Sequence, residues 1–196
     1  MRALYGIHAI GSRVCVSVMV IGASFLVGSS AHADDIDNPF GSFPSGRGNV
    51  LFLSTGVLLP LLEDGRAGRA HSIQTAGALT TSSLLAVGLK NVFREKRPNS
   101  NARDSFPSGH AAAAFAVATV QSSYHPKQAY LWFGSASIIA SNRVILHEHY
   151  IHDVIAGAGL GYLMARLELS HSPRMFLAPY VEPEHSTMGV SFGSQF

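Results

Sequence analysis

The sequence predicts an all-α fold, a compact helical bundle of five to six helices carrying a small C-terminal β-hairpin. Three observations carry this expectation. The long apolar segments are interrupted by Ser, Thr, Gln and His rather than by charged residues. Clusters of Gly and Pro break them at spacings suited to helices, and only the tail from Met175 onward shows a period of two.

Residues 1–33 read as a secretory signal peptide. Arg2 and Arg13 form a basic start, Val14 to Gly28 an apolar core shorter than a membrane span requires, and Ala31-His32-Ala33 a small-x-small cleavage site. The acidic residues Asp34, Asp35 and Asp37 follow at once, which favours cleavage over a retained anchor and an exported, periplasmic protein. Residues 34–196 are then expected to form a single domain. It opens with an extended leader, 34–47, rich in Gly, Pro, Ser and Asp.

Helices are expected over about 49–63, 69–97, 108–124, 128–145 and 148–168, separated by Gly65 and Gly68, by Pro98 to Asp104, and by His125-Pro126. The stretches His71 to Leu89 and Ser105 to Pro126 are uncharged but too interrupted to be continuous membrane spans, so they read as buried helices. Asn49 to Leu62, with Val50-Leu51-Phe52-Leu53 and Val57-Leu58-Leu59, is the segment most compatible with lipid, and a peripheral membrane contact is assigned there. In the tail, Met175 to Val181 is strand-like. Met188, Val190, Phe192 and Phe196 alternate with Gly189, Ser191 and Gly193, giving a hairpin over 175–196.

Composition excludes several function classes. Cys15, the only cysteine, lies inside the signal, so the exported chain has neither disulfides nor thiolate chemistry. The chain has 14 Lys and Arg against 12 Asp and Glu, and the signal accounts for the difference through Arg2 and Arg13. The basic surface that a nucleic-acid partner needs is therefore missing.

The chemistry-bearing residues fall in three places. Lys90 and Arg97 are seven apart, almost two helical turns, so on a continuous helix they project from one face about 10 Å apart along the axis. Pro98 ends that helix at Arg97. Ser108, between Pro107 and Gly109-His110-Ala111-Ala112, has the pattern of an N-cap entering a strong helix. Backbone N–H groups at such a start bind phosphate, and Gly109 lets an anion approach without a Cβ in the way. His149 and Asp153 are four apart, so the carboxylate can accept the Nδ1 proton and leave Nε2 free. For Arg143, six before His149, to share their site, the helix must break near Leu146 to Glu148.

The run His147-Glu148-His149-Tyr150-Ile151-His152-Asp153 also invites a metal reading. It departs from H-E-x-x-H at Ile151, no cysteine is available, and a metal at His149 and His152 leaves Lys90, Arg97 and Arg143 without a role. No metal and no cofactor is assigned. Gly157-Ala158-Gly159-Leu160-Gly161 lacks dinucleotide-fingerprint spacing and reads as a close helix contact.

In order and spacing these motifs resemble the signature K-x6-R-P, P-S-G-H, S-R-x5-H-x3-D of the type-2 phosphatidic-acid phosphatase superfamily, which includes class A bacterial acid phosphatases and vanadium haloperoxidases. The resemblance runs from Lys90 to Asp153, and one position departs from it: Asn142 stands where the pattern has Ser before Arg143. Asn142 retains the capacity to donate hydrogen bonds. The resemblance implies a phosphoric ester hydrolase without a metal, in which His149 attacks phosphorus and forms a phosphohistidine and Asp153 orients it. His110 would protonate the leaving group, while Lys90, Arg97, Arg143 and the backbone around Ser108 and Gly109 hold the phosphate oxygens. Its substrate would be a phosphorylated small molecule or a lipid phosphate or pyrophosphate. A vanadate-dependent peroxidase and a non-catalytic phosphate-binding protein are the alternatives. The short chain speaks against the first, and the orienting Asp153 beside His149 against the second.

Overall fold

The computed structural model describes residues 46–170 and the backbone of two strands, Met175–Glu182 and Thr187–Ser194. The expected signal over 1–33, nearly all of the leader over 34–47, and His171 and His185 lie outside the described residues. Five α-helices follow one another: α1 (Arg47–Glu63), α2 (Gly68–Phe93), α3 (Gly109–Tyr124), α4 (Ala129–Ile145) and α5 (Ile151–Ser170). The two strands pair antiparallel, from Met175 opposite Ser194 to Glu182 opposite Thr187, as the alternating tail predicts.

The helical breaks come where the sequence places them, but one expected helix ends early. The helix expected over 69–97 stops at Phe93, because Arg94 adopts the left-handed conformation and returns its N–H to the Lys90 carbonyl. Lys90 and Arg97 therefore do not share a helical face. Arg97 belongs to a loop that closes on itself through Arg97 N–H to Ala102 O and Ser105 N–H to Glu95 O, both 3.0 Å.

Helix α3 is the centre of the bundle. Ala111 to Ala114, Ala116, Val117, Ala118 and Val120 are fully buried, and α3 touches each of the other four helices. Short side chains on every face allow this, since a methyl group lets a neighbouring backbone come close on any side. Polar groups inside the bundle are used as cross-links. The buried Gln121 donates from Nε2 to Gly56 O at 2.6 Å and to Thr75 Oγ1 at 3.0 Å, tying α3 to α1 and α2. Ser72 donates to Val57 O. At the end of α3 away from its N-terminus, His71 and His125 both approach Asp64, at 2.6 and 3.2 Å, which gives these two histidines a structural place.

A close backbone contact joins α3 and α5. A Cβ on Gly157 would stand 2.3 Å from the Ser108 carbonyl oxygen, and one on Gly161 would stand 2.1 Å from that of Ala112. The glycine run of α5 is thus a helix contact, as its spacing suggests. Gly161→Ala is expected to force the helices apart and to lower stability by about 1–3 kcal/mol. Gly157→Ala should cost a similar amount and also shift Ser108. Chemical denaturation would check both, and a wild-type midpoint for either variant would contradict the packing described.

Candidate active site

The chemistry-bearing residues gather at the end of the bundle where α2 stops and α3 and α5 begin. The α3 start is built by Ser108, whose Oγ accepts from Ala111 N–H at 3.5 Å as an N-cap. Its own N–H donates to the Asp153 carbonyl at 3.0 Å, which ties α3 directly to the first turn of α5. This corrects the expectation for the backbone donors at this point. The Ser108 N–H is committed to Asp153, and Gly109 supplies the N–H that helix geometry leaves without an intrahelical acceptor. Apart from its chain neighbours and its own helix backbone, nothing lies within 4 Å of where a Gly109 Cβ would be, so no other part of the bundle crowds it.

The helix break between Arg143 and His149 falls over 146–150. Leu146 N–H still bonds Asn142 O, His147 takes a positive φ of 54°, and the N–H groups of Glu148 and His149 both return to Arg143 O at 3.1 and 3.2 Å. The turn wraps around the end of α4 and sets His149 against the same end of the bundle as Arg143. Helix α5 starts at Ile151 rather than near 148, because Asp153 Oδ2 accepts the Tyr150 N–H at 2.9 Å and fixes the N-terminus there.

His149 and Asp153 are both buried. His149 Nδ1 lies 3.5 Å from Asp153 Oδ2, beyond ordinary hydrogen-bond length, and also 3.5 Å from Ser105 Oγ. The direct His–Asp hydrogen bond that the spacing suggests is loosened for a clear reason: Ser105 donates its hydroxyl to the same Oδ2 at 2.5 Å. Ser105 is a member of this cluster that the sequence reading misses, since no spacing rule joins it to residues 44 and 48 positions further on.

The cations are held by carboxylates and carbonyls. Lys90 Nζ donates to the carbonyls of Asp104 and Ser105. Arg97 grips Asp104 in a bidentate pair, Nε to Oδ1 at 2.7 Å and a terminal nitrogen to Oδ2 at 2.8 Å. Its other terminal nitrogen reaches Glu148 Oε2 at 3.2 Å, and Arg143 pairs with that same oxygen. Glu148, also missed in the sequence, therefore holds two guanidiniums together.

These charges determine protonation. His149 is pushed down from 6.5 to about 2, first by burial and then by Lys90, Arg97, Arg143 and His110, so it is neutral and its approach to Asp153 is not an ion pair. His110, in the first turn of α3, is thus near enough to act on His149 electrostatically. Burial lowers Lys90 to about 8 against the opposing pull of Asp104, while the Arg97 hydrogen bond holds the Asp104 carboxyl below its usual range. A groove of about 470 Å³ opens beside His149, with Pro98, Val144, His147, Tyr150, Ile151 and His152 in its walls. The arrangement sets a neutral imidazole beside three cations.

Comparison with known proteins bears on this geometry. The model of the PAP2 superfamily matches residues 71–174. A curated relative, the lipid A 1-phosphatase of Porphyromonas gingivalis, is 32% identical over 127 residues, 59% of this chain. The chain spans only 28% of that relative's length. The crystal structure of Aquifex aeolicus LpxE has the same fold, with a TM-score of 0.54 and 23% identity over 78% of this chain and 94% of that one.

The buried neutral His149 predicts a pH dependence of stability. Below about 6.5 the unfolded chain takes up a proton that the folded His149 refuses, so stability falls as pH drops from there towards the folded value, by up to about 1.4 kcal/mol per pH unit. Denaturant midpoints measured between pH 7 and 5 should fall more steeply for the wild type than for His149→Asn. Parallel slopes would show that His149 is protonated in the folded protein.

Proposed function

We propose that this chain, which belongs to the PAP2 superfamily, is a phosphatase that hydrolyses a lipid phosphate through a phosphohistidine on His149. The observation that carries the reading is the buried, neutral His149 beside Lys90, Arg97 and Arg143 at the open start of α3. A neutral imidazole has a lone pair to offer, and the same cations that keep it neutral attract the phosphate it attacks.

In the first step Nε2 bonds to phosphorus as the bond to the leaving oxygen breaks, and His110 gives that oxygen a proton. Charge on the three equatorial oxygens is met by the two guanidiniums, Lys90 and the Gly109 N–H. Asp153, held by Ser105 and Tyr150, stabilises the cationic ring as it forms. Water, deprotonated by His110, then attacks phosphorus and frees His149. The cations supply the charge stabilisation that a divalent metal supplies in other phosphatases, so the reaction needs none.

A lipid substrate is supported by the name of the Porphyromonas relative and by the surface. Leu51, Leu58, Leu61 and Leu62 are exposed along α1, and Ile145 and Ile151 are exposed close to the groove beside His149. Exposed large apolar side chains on α1 and in the wall of the groove suit contact with lipid. No helix among the described residues is long and apolar enough to cross a membrane, so the contact proposed is peripheral, on an exported protein.

The full chain should release phosphate from a lipid phosphate in excess chelator, and His149→Ala should lose turnover by at least a thousandfold while keeping its fold. Turnover that requires added magnesium or zinc would refute the metal-free mechanism. In the free enzyme kcat/KM should fall as pH rises through about 8, where Lys90 loses its proton, and Lys90→Gln should remove that limb.

His110→Ala should slow phosphorylation of His149 by alkyl phosphates far more than by p-nitrophenyl phosphate, whose leaving group departs without a proton. Equal losses in single-turnover measurements would exclude His110 as the acid.

A further inference from the structure

Asp153 has a second carboxylate oxygen that the site leaves unused. Oδ2 takes the Ser105 hydroxyl and the Tyr150 N–H, whereas Oδ1 is buried without a hydrogen-bond partner. An orphaned carboxylate oxygen in a buried position is costly unless a cation completes it. Its near neighbour is His152, whose Nε2 lies 3.1 Å from Asp153 Oδ1 and is hydrogen-bonded to Glu95 Oε1 at 2.9 Å. The three ligand atoms lie within 4.8 Å of one another.

We propose that Glu95, His152 and Asp153 bind a divalent transition-metal ion of the zinc class on the side of Asp153 away from His149. Zinc bonds of about 2.0–2.2 Å at a tetrahedral angle separate donor atoms by about 3.3–3.6 Å, so the two observed distances would lengthen by about half an ångström to seat the ion. One imidazole with two carboxylates favours zinc over magnesium, which prefers oxygen ligands and retained water. The His152 ring is already held, stacked at 5.4 Å on Tyr150 and at 6.1 Å on Phe106. Two carboxylates offset the metal's charge, and the exposed side of His152 leaves the fourth position to water.

Resting on the phosphatase reading, occupancy should inhibit. A metal on Oδ1 withdraws negative charge from the carboxylate that must stabilise the His149 imidazolium. The site is therefore regulatory and lies outside the reaction path.

The full chain, stripped with chelator, should bind zinc chloride at one site in calorimetry and bind magnesium chloride at least tenfold more weakly. Glu95→Gln and His152→Ala should each weaken zinc binding at least tenfold. Glu95→Gln should keep wild-type turnover in chelator and need at least tenfold more zinc for half-inhibition. Absence of a zinc site, equal binding of magnesium, or wild-type zinc affinity in both variants would overturn the proposal. The last result would mean that zinc binds elsewhere on the chain. Calorimetry reads the site without any substrate, so a chain that binds zinc but hydrolyses nothing would refute the phosphatase reading alone.

Discussion

The close approach of α5 to α3 is the constraint on which the candidate site depends. Gly157 and Gly161 lie so near the carbonyls of Ser108 and Ala112 that any side chain there would collide with backbone. Bringing the two helices to this distance lets Ser108 N–H reach the carbonyl of Asp153. That single bond sets the start of α3 beside the first turn of α5. His149 and Asp153 then need only the local turn over 146–150 to face it. The alanine run of α3 serves the same end, because larger residues there would hold both α4 and α5 away.

Electrostatics at the site follow from this compactness. Three cations close to one another would repel, and Asp104 and Glu148 compensate them at the edge of the cluster. Both carboxylates grip guanidinium groups and leave His149 as a neutral ring in a positive field. Burial is the largest single cause of its depressed pKa, followed by Lys90, Arg97, Arg143 and His110.

Local patterns in the sequence carried a large part of this. The N-cap at Ser108, the break before His149, the close-contact glycines and the alternating tail each rest on short-range rules, and each has its counterpart in the structure. The helix through Arg97 failed because nothing between Phe93 and Pro98 looks like a breaker. The left-handed Arg94 is stabilised by a loop whose Arg97–Asp104 pair forms only once the loop has closed. Ser105 and Glu148 were invisible for the same reason. Their roles lie in partners distant in sequence or on another element, and a serine and a glutamate carry no periodic signal of their own.

Asp153 illustrates how much one buried carboxylate can be asked to do. Its backbone carbonyl joins α5 to α3, and its Oδ2 fixes the start of α5 and accepts from Ser105. Its charge lies beside a ring that is neutral at rest and becomes cationic only in the proposed reaction. Because Ser105 and Tyr150 already satisfy Oδ2, the carboxylate is held in place whether or not His149 is charged. In the proposed reaction the 3.5 Å separation from Nδ1 is room to tighten as charge develops, so the hydrogen bond would contribute more to the transition state than to the resting site. A full-strength bond at rest would have stabilised both states alike and gained nothing in rate.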